Sequence, residues 1–168
     1  MLPPDMVKDL LDREQFTETV FEPACGMGHI AEELIKNNYK VIATDILDRG
    51  YEKQNSTFDF FEFNSTNLLD IDIITNPPYS DATAFVEKSM SIIKNGRKLA
   101  LLLKVTFLEG QKRYKLFKDY PPKKIYIYSR RRNCWPNGIK PDQSSMIAYA
   151  WYIWEKGFIG NPQIEWIY

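Results

Sequence analysis

The sequence predicts an α/β domain built on a mostly parallel sheet with helices on both faces, and three observations carry that prediction. Strand-like and helix-like segments alternate along the 168 residues at βα spacing, with no repeat or low-complexity tract between them. A glycine-bearing turn, Pro23 to Gly28, follows the first apolar strand, where doubly wound sheets bind their ligands. A second apolar run, IDIITNPPY, ends in Asn76-Pro77-Pro78-Tyr79, which can continue neither a strand nor a helix because both prolines lack the backbone N–H and hold φ near −65°.

Each element follows from local pattern. Pro4 to Leu11 places Met6, Val7, Leu10 and Leu11 on one helical face, with Pro4 suited to a first turn. Thr19-Val20-Phe21-Glu22 reads as the first strand. Ile30, Ala31, Leu34 and Ile35 recur at helical spacing until Asn37-Asn38 ends them. Lys40 to Asp45 is a second strand closing on an acid, the aromatic run Thr57 to Phe63 a third, and Ile71 to Thr75 a fourth. Ala82 to Ile93 reads as a helix, Arg97 to Lys104 as the fifth strand, Gln111 to Asp119 as a helix and Lys124 to Tyr128 as the sixth strand. The β-rich run Ser145 to Glu155 closes the series.

The composition, 44% hydrophobic and 26% charged over 168 residues, suits a single globular domain spanning residues 1–168. No apolar run approaches the roughly 18 to 20 residues that span a bilayer. The opening MLPPDMVKDLLDRE lacks the apolar core and cleavage site of a secretion signal, so the expected location is cytoplasmic, with no membrane partner. Cys25 and Cys134 form no disulfide framework, and a single histidine leaves little scope for a metal site; none is expected.

The net charge of zero hides an uneven distribution: residues 1–93 carry −10, residues 94–140 carry +12 and residues 141–168 carry −2. Tyr114, Phe117, Tyr120, Tyr126, Tyr128 and Trp135 interleave the basic stretch, a combination that suits a face turned toward a polyanion. Lys104, Lys112, Arg113, Arg130, Arg131 and Arg132 are the expected contacts to a nucleic-acid backbone.

Gly26 and Gly28 let the backbone approach a ligand closely and turn into a helix whose first amides can bind an anion. Asp45, at the end of the second strand, can accept hydrogen bonds from ribose hydroxyls. Asp59-Phe60 can offer a carboxylate to an adenine amino group and an apolar wall to its ring. Position 31 is Ala where a GxGxxG dinucleotide loop needs its last glycine, and no GxxxxGK[ST] occurs, which excludes phosphate-loop NTPases.

In their order along the chain, Pro23-Ala24-Cys25-Gly26-Met27-Gly28, Asp45, Asp59-Phe60 and Asn76-Pro77-Pro78-Tyr79 resemble the cofactor and catalytic motifs of amino-methyltransferases. The resemblance is greatest to the gamma-type enzymes that act on N6 of adenine in DNA. Leu2-Pro3-Pro4 corresponds to the family's TPP segment, with Leu2 replacing the threonine. Asn95-Gly96-Arg97, Lys104 to Leu108 and Trp135-Pro136 resemble later motifs, so the match spans most of the chain. It implies a Rossmann-like class I methyltransferase fold: a mostly parallel seven-stranded sheet with an antiparallel C-terminal strand. It implies S-adenosyl-L-methionine as cofactor, held by Pro3, Glu22, Pro23, Ala24, Cys25, Gly26, Gly28, Asp45, Ile46, Asp59, Phe60 and Asn76. Such relatives carry a target-recognition domain where this sequence ends, so specificity is expected to be loose or to come from the basic segment or a partner subunit.

The resemblance assigns catalysis to Asn76, Pro77, Pro78 and Tyr79. An exocyclic aromatic amine is a poor nucleophile because its lone pair is delocalised. The Asn76 side-chain oxygen and the Pro77 carbonyl accept its hydrogens and offset the positive charge that grows on nitrogen. Tyr79 and Trp135 would stack on the extruded base. Carbon-5 cytosine methylation needs a Pro-Cys nucleophile that neither Cys25 nor Cys134 provides. Two alternatives stand beside DNA N6-adenine methylation: an enzyme acting on protein glutamine N5 or an RNA amine, and a catalytically silent module that binds nucleic acid or serves as a scaffold.

Overall fold

Eight strands form one sheet in the order β3-β2-β1-β4-β5-β7-β6-β8 in the computed structural model, which describes residues 2–130 and 147–168. The strands are β1 (Thr19–Glu22), β2 (Lys40–Asp45), β3 (Ser56–Thr57), β4 (Asp72–Thr75), β5 (Lys98–Lys104), β6 (Lys124–Tyr128), β7 (Tyr149–Glu155) and β8 (Gln163–Ile167). Strands β1 to β5 run parallel, β7 inserts antiparallel between β5 and β6, and β8 lies parallel to β6. The strand order reverses between β1 and β4, which is where sheets of this kind open a crevice at their carboxyl ends.

The helices are α1 (Pro4–Leu11), α2 (His29–Lys36), α3 (Ala82–Ile92) and α4 (Tyr114–Asp119). Met6, Val7 and Leu10 of α1 and Ile30 and Leu34 of α2 pack with Val20, Ile74 and Trp151 on one face of the sheet. Phe85, Val86 and Met90 of α3 and Leu116 of α4 pack with Ile73, Leu101 and Tyr152 on the other. Successive residues of β7 alternate between these two layers, so Trp151 and Tyr152 are both fully buried. Their polar atoms are satisfied: the Trp151 indole N–H donates to the Met6 carbonyl at 2.9 Å, and the Tyr152 hydroxyl donates to the Lys104 carbonyl at 3.1 Å.

The α/β architecture with helices on both faces agrees with expectation, and three details differ. The expected third strand, Thr57 to Phe63, pairs only over Ser56–Thr57, because Asp59 caps a 3-10 turn over Phe60–Glu62 that draws the aromatics into the core. The expected helix from Gln111 begins as a 3-10 turn over Gln111–Arg113 and becomes α-helical at Tyr114. The sheet has eight strands instead of seven, since Gln163–Ile167 adds parallel to β6. Only Ile167 of that strand is buried, so burial leaves little apolar signal in its sequence. Among the described residues no helix is long and apolar enough to cross a membrane.

Candidate active site

A cleft of about 760 Å³ opens at the carboxyl ends of β1, β2 and β4, within the size range of small-molecule sites. Its floor is the turn after β1. The Cys25 N–H donates to the Thr44 carbonyl at 2.9 Å and the Gly28 N–H to the Cys25 carbonyl at 2.8 Å, which folds residues 23–28 into a tight loop leading into α2. Gly26 and Gly28 take φ of 55° and 77°, left-handed values that disfavour any side chain.

Asp45 holds this loop in place from the next strand. Its two carboxylate oxygens accept the Gly26 N–H at 2.8 Å and the Leu47 N–H at 3.0 Å, and Arg49 approaches at 3.9 Å. Glu22 lies deeper, 1% exposed, with one carboxylate oxygen lacking a hydrogen-bond partner among the described residues. Burial pushes its carboxyl well above the usual range, and the Asp45 charge adds to the rise. Burial likewise pushes the Cys25 thiol up to about 12, with the Glu22 and Asp45 charges adding, so it is no nucleophile at neutral pH. His29 also borders the cleft, and burial lowers its pKa, which favours a neutral ring.

An aromatic wall closes one side. Asp59 spends one oxygen on the Phe61 N–H at 2.8 Å. Phe60 stacks on Phe85 with ring centroids 5.0 Å apart, and Phe61 meets the same ring edge-on at 5.1 Å. Phe60 is 3% exposed and Phe61 39% exposed, and both line the cleft. Ile46, 58% exposed, supplies another apolar surface.

The loop after β4 also lines the cleft. Thr75 and Pro77 are buried, Asn76 and Tyr79 are half-buried and Pro78 is exposed. The Asp81 N–H donates to the Pro78 carbonyl at 3.0 Å, turning the chain into α3. The Asn76 side-chain oxygen is buried with no hydrogen-bond partner among the described residues. Such an atom costs roughly 1–3 kcal/mol unless something donates to it. The Tyr79 ring rests 6.1 Å from that of Tyr149, and the Lys104 ammonium lies over it at 5.0 Å.

Most of the residues expected from sequence converge on this cleft: Glu22, Pro23, Ala24, Cys25, Gly26, Asp45, Ile46, Asp59, Phe60, Asn76, Pro77, Pro78 and Tyr79. Two expected cofactor residues are not among those lining the cleft. Leu2, not Pro3, lines the cleft, while Pro3 precedes α1 in extended geometry. Gly28 borders the Tyr51 ring instead of the cleft. Leu2, Phe61, Arg49 and Tyr149 line the cleft beyond the residues expected from sequence; for Phe61 the signal was its adjacency to the Asp59-Phe60 pair.

The expected backbone-contacting cations divide. Lys112 is exposed. Arg113 is half-buried and engaged locally: it donates to the carbonyls of Glu109 and Thr106 and covers the Phe107 ring at 5.0 Å. Arg130 donates to the Tyr168 hydroxyl at 2.9 Å and stacks on that ring. Arg131, Arg132 and Trp135 lie outside the described residues. Among the described residues no three His, Cys, Asp or Glu side chains are grouped to hold a metal ion.

No family model and no curated protein sequence matches the chain. Solved structures match it in fold. A proposed class I S-adenosylmethionine-dependent methyltransferase of Listeria monocytogenes superposes with a TM-score of 0.63 at 17% identity, over 99% of this chain and 65% of that one. The modification subunit of a proposed type I restriction enzyme of Vibrio vulnificus gives 0.64 at 16% identity, over 99% and 46%. A SAM-dependent O-methyltransferase of Thermotoga maritima gives 0.61 at 16%, over 94% and 66%. The chain thus spans less than two thirds of the length of each of these three proteins.

Proposed function

We propose that this chain, which has the class I methyltransferase fold, is an S-adenosylmethionine-dependent methyltransferase that acts on an exocyclic amine, with N6 of adenine in DNA as the substrate best supported. One observation carries the reading: the buried Asn76 side-chain oxygen, without a donor among the described residues, at the edge of the cleft and two prolines away from the Tyr79 ring.

The residues present fit the cofactor. Left-handed Gly26 lines the cleft with no side chain and open space where one would stand, and the half-exposed Ile46 and Phe61 offer apolar surfaces suited to an adenine ring. Asp59 retains an oxygen beyond the one that accepts the Phe61 N–H, and Glu22 keeps an unsatisfied oxygen beside the loop. Asp45, with two lone pairs already used on backbone amides, has others for ribose hydroxyls. When bound, S-adenosylmethionine supplies an electrophilic methyl group on sulfonium.

The protein's own part is positioning and electrostatics. The Asn76 oxygen and the Pro77 carbonyl accept the two amine hydrogens, pull the nitrogen out of conjugation and offset the charge that builds on it. The diproline holds these acceptors without reorganisation, since both φ angles are set by the rings. Tyr79 stacks on the base, offsetting the few kcal/mol that extrusion costs. The methylated amine is strongly acidic and loses its proton to water, so no general base is required of His29. A modification subunit among the structural neighbours supports a partner that supplies target recognition.

The test is transfer of labelled methyl to DNA, to RNA and to protein in an extract, comparing wild type with Asn76→Ala. Label recovered as N6-methyladenine in DNA and lost in the variant is the expected result. Label in RNA alone, or in protease-sensitive material alone, reassigns the substrate to an RNA amine or a glutamine side chain. Cofactor binding with no transfer to any of these indicates a silent module.

A further inference from the structure

Lys104 is the last residue of β5 and pairs in register with Tyr149 of β7, whose ring supports Tyr79. Two neighbouring strands therefore hold a cation and an aromatic support beside the same catalytic ring. The Lys104 ammonium sits 5.0 Å from the Tyr79 centroid, and among the described residues it makes no ion pair. One charge of the basic stretch at residues 94–140 is thus placed at the ring itself.

That position conflicts with the reaction. Methyl transfer puts positive charge on the amine nitrogen, and an ammonium over the adjacent ring repels it. A base stacking on Tyr79 also competes for the ring. A cation over a half-buried aromatic ring is worth about two- to thirtyfold in an equilibrium, whereas a stacked base is worth about five- to 150-fold. The base wins, and the lysine, on a flexible four-carbon stem, is released beside a nucleotide that carries phosphates.

We propose that Lys104 is a substrate-displaced cation: in the free protein it occupies the Tyr79 ring, and on base entry it moves to a phosphate of the polynucleotide. This rests on the reading of the site as a methyltransferase acting on nucleic acid. It adds a residue that couples base engagement to backbone contact, and it takes a positive charge away from the nitrogen to which the reaction transfers the sulfonium charge.

The experiment is binding of a mixed-sequence duplex oligonucleotide by wild type, Lys104→Met and Lys104→Arg across salt concentrations, with methyl transfer to the same oligonucleotide measured in parallel. Lys104→Met keeps the apolar stem and loses the charge. The expected result is a log–log salt slope shallower by about 0.9 in Lys104→Met, so that the wild-type advantage shrinks about eightfold for a tenfold rise in salt. At the highest salt the Met variant is expected to bind at least as well as wild type, because it has no cation to displace. Lys104→Arg retains the wild-type slope. Equal slopes for wild type and Lys104→Met, with methyl transfer intact in wild type, overturn this proposal alone. A Met variant weaker by one constant factor at every salt overturns it in favour of a packing role. A wild type that neither binds the oligonucleotide nor methylates it overturns the underlying reading as well.

Discussion

A first side-chain carbon on Gly28 would lie 2.3 Å from the ring of Tyr51. The glycine therefore does two things at once: it takes a φ of 77° and leaves room for an aromatic ring whose hydroxyl donates to Glu32 of α2 at 2.8 Å. Gly28→Ala must both adopt the left-handed conformation and displace the ring, so we expect a loss of about 2–4 kcal/mol by urea unfolding. In Gly28→Ala/Tyr51→Ala the steric part is relieved and only the backbone part, about 1–2 kcal/mol, remains from the glycine change. Equal costs of Gly28→Ala with and without the tyrosine would show that the ring moves freely.

Asn76→Ala is expected to lower methyl transfer by about 10²–10³, the usual cost of deleting one preorganised polar group at a reacting centre. Because the Asn76 oxygen is buried without a donor among the described residues, the same change removes an unsatisfied polar atom. Thermal unfolding should accordingly show a melting temperature no lower than that of wild type. A clear drop in melting temperature would mean that the side chain is structural.

Arg113 and Lys112 are adjacent and should behave oppositely. Arg113 is engaged with the Glu109 and Thr106 carbonyls and the Phe107 ring, so Arg113→Ala should cost about 1–3 kcal/mol of stability and leave the salt slope of DNA binding unchanged. Lys112 is exposed, so Lys112→Ala should leave stability unchanged and make the slope shallower by about 0.9 if it meets a phosphate. Unfolding curves and binding titrations on the two variants separate the roles.

Glu22 makes stability depend on pH. Burial raises its carboxyl pKa well above the ordinary value of 4.5, so the folded state holds a proton that the unfolded chain has already released. Stability from this group is full below about pH 4 and falls as pH rises through the window between the unfolded and folded values. Glu22→Gln, which cannot ionise, should be more stable than wild type at pH 8, with the difference shrinking at pH 4. Chemical denaturation at the two pH values checks it, and a variant advantage that grows toward acid would reverse the sign of this account.

Much of the architecture was legible because its signals are local. Apolar periodicity marked α1, α2 and α3 and the strands β1, β2, β4, β5 and β6, and each lies where its side chains find a layer to fill. The strand at Gln163–Ile167 was not legible, since only Ile167 is buried and its alignment depends on the edge that β6 happens to offer. Local pattern also misleads at residues 57–63: the aromatics promised a strand, but the Asp59 cap and the stacking of Phe60 on Phe85 won.

The candidate site divides along the same line. The loop residues were readable from local chemistry, because glycines at 26 and 28 and prolines at 77 and 78 act on the backbone through their own covalent geometry wherever they occur. The packing of distant segments settles that Phe61 lines the cleft, that Leu2 lines it where Pro3 does not, that Arg113 covers Phe107 and that Lys104 sits over Tyr79. Those outcomes depend on which side chains distant strands bring together, and contacts between residues far apart in the chain are set by the register of the sheet, not by any local preference.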